Sequence, residues 1–441
     1  MIFQNFGFNQ KYSIINIIPA SLIFDLDAAN YTGLSANFNG STQYLDIAST
    51  TSFGFSTTDF TIECWWRPTV NQRSDVLDFW SDTGVGSYPV TRFDFGRITS
   101  TTLDLYTDGT GGSGAKITGP SIASLLNAWH HIAITRQSGS IKMWVDGTQV
   151  GSTYSANILD MGADMKLRIM GDHGAGANGS GNLSNVRVVT GTALYTTTFT
   201  PSTTPLTAVT GTQLLLPLTS TPFIDASTNA LSVTNTGTTG VSFQYPLTVK
   251  DTTGTYTITS NPGSSLTWDS ANSGTFAKSN NTGTDYIIGG PNYVTAQSYT
   301  VFMAYKLSAT SSGRLLNTNN ESIKDWLMGA YNGNPDTFYP NFSVNLPSTG
   351  ADTAWHFGWA TWDTTTNTGK LYTATTTAPS THSFTATNGA GGGFNQLRLF
   401  SRSSGSEVQS GNIGFVKVYD GVLDISTIQA LHATYKARFG Y

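Results

Sequence analysis

Two segments in which apolar and polar residues alternate flank a short glycine-containing turn in the first half of the chain. They span residues 129–136 and 140–147. Alternation with a period of two places Ile141, Met143 and Val145 on one face of an extended strand and the intervening side chains on the other. The pattern predicts a β-hairpin with one face in a hydrophobic core.

The same hairpin pattern occurs a second time at residues 355–372. The segments before and after the hairpin also recur in the same order in both halves of the chain. Two of these blocks are displaced by the same 230 residues, because Arg398 corresponds to Arg168 and Gly411 corresponds to Gly181. An internal repeat of this kind predicts two copies of one domain.

The composition favours an all-β architecture. Charged residues make up 11% of the 441 residues, against about 25% in an average protein, and Thr, Ser, Asn and Gly take their place. Threonine suits strands, whereas glycine and asparagine suit turns. A chain of this length accommodates two domains of about 200 residues, each with a full core.

Charge and hydropathy argue against two classes of partner. The net charge is −5, and lysine and arginine are scattered along the chain. Binding to a phosphate backbone needs a concentrated basic surface, so we expect no nucleic-acid partner. No apolar segment approaches the roughly 18 residues of a membrane span, so we expect no membrane insertion.

Cys64 is the only cysteine, which rules out an intrachain disulfide. Its position in the alternating segment that begins at Phe60 predicts a small core residue and not a reactive thiol.

The N-terminal segment has two interpretations. Residues 12–24 are apolar enough for an export signal, but Asn16 and Pro19 interrupt them. We therefore expect residues 1–21 to form an arm that leads into a first strand at residues 22–28.

These patterns predict three regions. They are an N-terminal arm at residues 1–21, a first domain at 22–249 and a second domain at 250–441. The second domain should end in an amphipathic helix that Asp424 caps. Its apolar residues follow steps of three and four: Ile425, Ile428, Leu431, Tyr435 and Phe439.

Three segments of the first half carry a family resemblance. They read FTIECWWRP from residue 60, AWHHIAITRQSGSIKMWVDG from residue 128, and GNLSNVRVVTGTALYTTTFTP from residue 181. Together they closely resemble the laminin-G-like branch of the concanavalin A-like lectin/glucanase jelly rolls. The resemblance implies two tandem antiparallel β-sandwich domains. The C-terminal segment from residue 413 is similar to the tail of such domains in virion proteins of tailed phages.

The superfamily includes glycoside hydrolases, which need two carboxylates about 5 to 10 Å apart. The chain has only three glutamates, Glu63, Glu321 and Glu407. No second carboxylate lies two positions from Glu63, so the alternating acid motif of the enzymes is absent. We therefore expect a protein that is not an enzyme, with a degenerate glycoside hydrolase as the third-ranked interpretation.

One acidic pair raises the question of a metal. Asp94 and Asp104 lie in two alternating segments that could pair as a hairpin, and oxygen ligands of this kind suit calcium. The alternative is a pair of solvated carboxylates balanced by Arg92 and Arg97. We expect no required cofactor, with calcium as the one ion to test.

A sugar site would combine aromatic rings with acidic and amide side chains on loops and strand ends. Eight residues of the first domain have this character: Trp80, Asp82, Tyr88, Tyr106, Asp108, Asp172, His173 and Asn178. The alternative is that these aromatic residues only fill the cores of the sandwiches.

The leading hypothesis is a structural or attachment protein on the virion surface of a tailed phage. It would be a capsid decoration, a head fibre or a tail-fibre component, assembled in the host cytoplasm. Its partners would be other virion proteins of the capsid or tail, further copies of itself in a homotrimer, and host surface polysaccharide. The second hypothesis is an extracellular carbohydrate-binding adhesin of a bacterium.

Overall fold

The structure is a computed structural model and describes most of the chain after residue 21. The described residues are 22–31, 33–81, 91–98, 101–108, 114–155, 165–174, 176–247, 249–261, 266–269, 274–280, 285–293, 297–308, 313–322, 325–331, 334–340, 353–374, 380–385, 392–402 and 404–441. They form two compact units. One unit comprises Thr32–Thr248 and is called the first sandwich. The other comprises Val249–Tyr441 together with the segment up to Tyr31 and is called the second sandwich.

One strand precedes the first sandwich, and fifteen described strands lie within it. They are β1 (Leu22–Asp27), β2 (Ser35–Asn39), β3 (Tyr44–Thr50), β4 (Phe60–Pro68), β5 (Leu77–Ser81), β6 (Thr91–Ile98), β7 (Thr102–Asp108), β8 (Gly114–Ser121), β9 (His130–Gln137), β10 (Ser140–Val145), β11 (Thr148–Ser155), β12 (Met165–Ile169), β13 (Ser180–Thr190), β14 (Thr212–Leu216), β15 (Val233–Thr236) and β16 (Gly240–Ser242). Short 3-10 helices lie at Ala28–Asn30, Thr51–Phe53 and Ile122–Ser124.

The second sandwich contains the remaining strands and the C-terminal helix. They are β17 (Val249–Lys250), β18 (Thr257–Asn261), β19 (Leu266–Asp269), β20 (Thr275–Lys278), β21 (Tyr286–Asn292), β22 (Tyr299–Leu307), β23 (Leu316–Thr318), β24 (Trp326–Tyr331), β25 (Asn334–Pro340), β26 (Trp355–Asp363), β27 (Thr368–Ala374), β28 (Ser380–Thr385), β29 (Asn395–Leu399), β30 (Gly411–Asp420) and α1 (Ile425–Tyr435), followed by a 3-10 helix at Lys436–Phe439.

Each sandwich consists of an eight-stranded and a seven-stranded antiparallel sheet. In the first sandwich the orders are β11-β10-β9-β4-β13-β2-β16, with β14 also beside β13, and β15-β3-β12-β5-β6-β7-β8. In the second they are β19-β20-β30-β22-β26-β27-β28, with β1 also beside β30, and β17-β18-β21-β29-β23-β24-β25. The predicted all-β fold class with two sandwiches and a short C-terminal helix is confirmed.

The core of the first sandwich lies between its two sheets. Ile62 and Cys64 of β4 pack there with Leu77 and Leu167 of the facing sheet. The predicted hairpin is β9 and β10, and the three apolar side chains of β10 named above all enter this core. Cys64 is fully buried, and burial raises the pKa of its thiol well above the usual value.

The covering segment, residues 191–207, lies over the outer face of the eight-stranded sheet of the first sandwich. Phe199 N donates to Gly147 O at 3.0 Å, and Thr61 Oγ1 donates to Thr192 O at 3.0 Å. Sequence periodicity shows that a strand has a second face but not what covers that face, so this cover was not predicted.

Helix α1 covers the corresponding outer face in the second sandwich. Asp424 caps it as predicted, since Asp424 Oδ1 accepts a hydrogen bond from Thr427 N at 2.7 Å. Ile428 and Leu431 are buried, whereas Ile425 of the predicted apolar stripe is 40% exposed. Among the described helices, none is long and apolar enough to cross a membrane.

The strand β1 departs from the predicted domain boundary. It was expected to open the first domain, but it pairs with β30 of the second sandwich, with Phe24 opposite Val418 and Asp27 opposite Phe415. In the first sandwich the corresponding position beside β13 is held by β14, which follows β13 in the chain. The division after Thr248 lies close to the predicted boundary at residues 249 and 250. The predicted arm at residues 1–21 lies outside the described residues.

Candidate functional site

A row of polar side chains crosses the outer face of the seven-stranded sheet in the first sandwich. Strand register places Asp46, Arg168, Asp78, Asp94 and Tyr106 side by side on five neighbouring strands. Because side chains alternate along a strand, their apolar neighbours enter the core and these residues face outward. Asp78 and Asp94 are fully buried within this row, whereas Arg168 and Asp46 remain partly exposed.

Arg168 is held rigidly in this row. Its Nε and Nη2 donate to the two carboxylate oxygens of Asp46 at 2.8 and 3.0 Å. The guanidinium lies 3.9 Å from the ring centroid of Tyr44 and remains 17% exposed. Burial lowers the pKa of Arg168, but the hydrogen bonds and charge of Asp46 outweigh burial and raise it above its usual value. The result is a fixed planar cation paired with a partly exposed carboxylate.

Trp80 and His173 form a second rigid unit beside this pair. Their rings stack with centroids 4.8 Å apart and an interplanar angle of 3°. Asp78 Oδ2 lies 2.8 Å from His173 Nδ1 and also accepts a hydrogen bond from His173 N at 2.7 Å. Trp80 is only 9% exposed, so its ring is not the open stacking platform that the sequence predicted. Lys166, 5.9 Å from the Trp80 ring centroid, adds a further cation at this position.

Asp172 and Asn178 shape the loop that carries His173. Asp172 Oδ1 accepts from Gly174 N at 2.8 Å, and its Oδ2 accepts from Arg73 Nη2 at 3.2 Å. Asn178 Nδ2 donates to Ser41 O at 2.6 Å. Both predicted residues are buried, and their hydrogen bonds position the loop.

The structure therefore brings together five of the eight predicted residues. Tyr106 is a member of the row and lies opposite Asp94. The other four lie beside the row: Trp80, Asp172, His173 and Asn178. Asp82, Tyr88 and the side chain of Asp108 lie outside the described residues.

Two groups of side chains have the spacing of metal ligands. The ligand atoms of Asp75, Asp78 and Asp94 lie within 4.8 Å of one another, and so do those of Asp78, Asp172 and His173. An all-oxygen group suits calcium, whereas a group with imidazole suits a transition metal. Asp94 and Asp104 do not face each other, because Asp104 is opposite Arg97 and Thr118. Both carboxylates are buried, so the alternative of a solvated surface pair is wrong. The bulge between Phe95 and Arg97 contributes to this register.

Glu63 lies on the opposite sheet in a buried ionic network. Its Oε1 accepts from Arg187 Nε and Nη2 at 2.8 and 2.5 Å, and its Oε2 accepts from Tyr195 OH at 2.8 Å. His131 Nε2 lies 3.0 Å from the same Oε2. Burial raises the pKa of Glu63, but the hydrogen bond of His131 and the charge of Arg187 outweigh burial, and the pKa is lowered. The network attaches the covering segment to the sheet.

The second sandwich keeps the arginine of the row but loses its acids. The Arg398 guanidinium lies 3.7 Å from the ring centroid of Tyr286, in the same way that Arg168 lies against Tyr44 at 3.9 Å. The register partners of Arg398 are Ile288 and Asn317, where the first sandwich has Asp46 and Asp78. The polar row is thus a feature of the first sandwich.

Sequence reasoning missed Tyr44, Asp46, Asp78 and Arg168. One signal was available for Arg168, because it and Arg398 occupy the same position in the two repeated blocks.

One family model matches the chain over residues 39–194. It is the laminin G-like model of the concanavalin A-like lectin/glucanases superfamily. The first sandwich is therefore similar to domains of this superfamily. The matched residues include β3, β5, β6, β7 and β12, which carry the polar row. No curated protein sequence matches the chain.

Solved structures with a similar fold have low sequence identity to the chain. A candidate carbohydrate binding protein from Bacteroides ovatus is 19% identical, with 47% of this chain and 59% of that protein covered and a TM-score of 0.32. A heptameric pentraxin from Limulus polyphemus is 15% identical, with 48% and 97% covered and a TM-score of 0.31. Domains LG4-5 of the mouse laminin alpha1 chain are 12% identical, with 93% and 95% covered and a TM-score of 0.28. The chain therefore spans less than two thirds of the first of these proteins.

Proposed function

We propose that this protein is a non-enzymatic carbohydrate-binding protein of a tailed-phage virion, where it decorates the capsid or forms part of a head or tail fibre. The observation that carries the binding role is the rigid polar row of the first sandwich, centred on Arg168. The virion role is supported by the resemblance of the C-terminal segment to phage virion proteins.

The chemistry of the row suits a saccharide. Arg168 and Asp46 offer donors and an acceptor whose mutual pairing and contact with Tyr44 fix their orientation. Sugar hydroxyls both donate and accept, so a preorganised donor–acceptor pair binds them without ordering flexible side chains. The ligand we propose is a host surface polysaccharide.

The fixed position of Glu63 supports a role without catalysis. Its two oxygens accept hydrogen bonds from Arg187 and Tyr195 and lie beneath the covering segment, so Glu63 is not placed as an acid or a nucleophile. The buried group of Asp75, Asp78 and Asp94 is the observation that favours the alternative of a degenerate hydrolase, because its carboxylates are close together.

A glycan microarray probed with the full chain tests the binding role. We expect binding to a subset of bacterial surface polysaccharides and no release of reducing ends from them. The addition of EDTA tests whether calcium takes part. Failure to bind any polysaccharide would contradict the carbohydrate-binding role, and hydrolysis that Asp94→Asn abolishes would establish the enzyme instead.

Quantitative mass spectrometry of density-purified particles tests the virion role. We expect the chain in the particles at a fixed ratio to the major capsid protein. A ratio in the hundreds per particle would identify a capsid decoration, and a few copies would identify a tail appendage. A chain found only in the medium or on bacterial surfaces would contradict the virion role and favour the secreted adhesin.

A further inference from the structure

A small pocket lies on the outer face of the other sheet of the first sandwich, away from the row centred on Arg168. Its volume is about 310 Å³. Strands β9 and β10 and the turn between them form one side, and Tyr195 and Thr196 of the covering segment form the other. The space suits one sugar ring.

Lys142 is the only charged side chain among the described residues that line this pocket. Its Nζ donates to Thr196 O at 3.0 Å, which fixes the ammonium group beneath the covering segment. An ammonium group has three N–H donors. Within the described part of the chain Thr196 O is its one hydrogen-bond acceptor, so two donors remain for a bound anion.

The remaining lining is rich in hydroxyl groups. Thr135, Ser138, Ser140 and Thr196 are lining residues with side-chain hydroxyl groups, and Thr135 Oγ1 also accepts a hydrogen bond from Trp144 Nε1 at 2.9 Å. The nearest acids are already balanced. Asp59, which accepts from Ser138 N, is paired with Arg136 at 3.2 Å, and Glu63 is paired with Arg187.

We propose that this pocket binds the acidic sugar residue of a polysaccharide, with the sugar carboxylate on Lys142 and the ring hydroxyls on the surrounding serine and threonine side chains. The inference deepens the proposed carbohydrate-binding function and rests on it for the class of ligand. A hydrogen bond to a charged group is stronger than one between neutral groups, so the carboxylate dominates the affinity.

The second sandwich supplies a matched control. Lys370 of β27 lies opposite Thr361 of β26, as Lys142 of β10 lies opposite Thr135 of β9. Among the described residues, the outer face of this sheet is covered by α1, whose Ile428 and Leu431 pack with Trp359 and Phe302. Lys370→Gln therefore removes the same charge at the equivalent position without altering the pocket.

The test is a titration of the full chain with D-galacturonate, methyl galactoside and inorganic phosphate, followed by calorimetry or ligand-observed NMR. We expect galacturonate to bind the wild type and Lys370→Gln equally, and to bind Lys142→Gln about tenfold more weakly. Methyl galactoside and phosphate should each bind the wild type about tenfold more weakly than galacturonate. Methyl galactoside lacks the carboxylate, and phosphate lacks the ring hydroxyls. Lys142→Met, which keeps an unbranched apolar side chain beside Trp144, replaces Lys142→Gln if that variant melts early.

Several results would overturn the inference. The first is that galacturonate binds Lys142→Gln as tightly as it binds the wild type. The second is that phosphate or methyl galactoside binds the wild type as tightly as galacturonate does. The chain could instead bind polysaccharide on the array but neither galacturonate nor any acidic polysaccharide. That result would contradict the proposed ligand of the pocket and leave the proposed function intact. A chain that binds no polysaccharide and no galacturonate would remove both.

Discussion

Glu63→Gln is expected to destabilise the first sandwich by about 3 to 5 kcal/mol, because it leaves the buried Arg187 without its counter-charge. For a domain of this size the melting midpoint should fall by about 10 °C. Differential scanning calorimetry of the full chain measures this change. Replacing both partners, as in Glu63→Gln with Arg187→Met, should recover much of the loss because no buried charge then remains unpaired.

The control for Glu63→Gln is an exposed carboxylate beside a histidine in the same sandwich. Asp146 lies 2.7 Å from His130 and its side chain is 49% exposed. Asp146→Asn should therefore cost less than about 1 kcal/mol. If Glu63→Gln melts as Asp146→Asn does, the network does not hold the covering segment.

The same network predicts an acid dependence. The pKa of Glu63 is lowered in the folded protein, so its contribution is present above the usual carboxylate value of about 4.3 and is lost as the pH falls through the lowered value. Wild type should lose stability in this acid range more steeply than Glu63→Gln. Parallel curves for the two proteins would show that Glu63 is not the titrating group.

Removal of β1 is expected to unfold or strongly destabilise the second sandwich while the first sandwich remains folded. A chain that starts at residue 32 loses Phe24 and Leu26 from the core and leaves the buried Lys417 without Asp25, which lies 2.5 Å from its Nζ. Arg438 loses its 2.7 Å contact with Asp27 in the same step. Uncompensated burial of a charge is among the costliest changes in a protein.

Hydrogen exchange measured by mass spectrometry distinguishes the two sandwiches in this variant. We expect protection to be lost in β22, β26 and β30 and retained in β4, β9 and β13. A chain that starts at Leu22 keeps β1 and serves as the control. A peptide of residues 22–31 added in trans should restore protection in the truncated chain. Full protection of β30 without β1 would show that the second sandwich does not depend on this strand.

The sequence predicts what depends on local pattern and repetition. The hairpin of β9 and β10, the burial of Cys64 and the cap at Asp424 all follow from period-two or helical spacing over a few residues. The placement of β1 does not follow from local spacing, because Leu22 pairs with Tyr419 across nearly the whole chain. The alternation in residues 22–28 is equally compatible with the first strand of the nearer domain.

The candidate site was only partly predictable for the same reason. Aromatic and acidic residues at loops drew attention to Trp80, Asp172 and His173, which the fold does bring together. The row around Arg168 depends on the register of five strands, and a shift of one residue would turn each of these side chains into the core. Glu63 was considered only as a potential catalytic acid, since the arginine and tyrosine that pair with it lie more than 120 residues away.

The polar row of the first sandwich is the proposed saccharide-binding site. The most direct test compares Arg168→Gln with Arg398→Gln in the full chain, using the polysaccharide that binds best on the array. Both arginines lie on a tyrosine ring, but only Arg168 is paired with an acid in a polar row. We predict that Arg168→Gln lowers the affinity about tenfold or more and that Arg398→Gln leaves it unchanged. Equal affinity of both variants and the wild type would contradict the account.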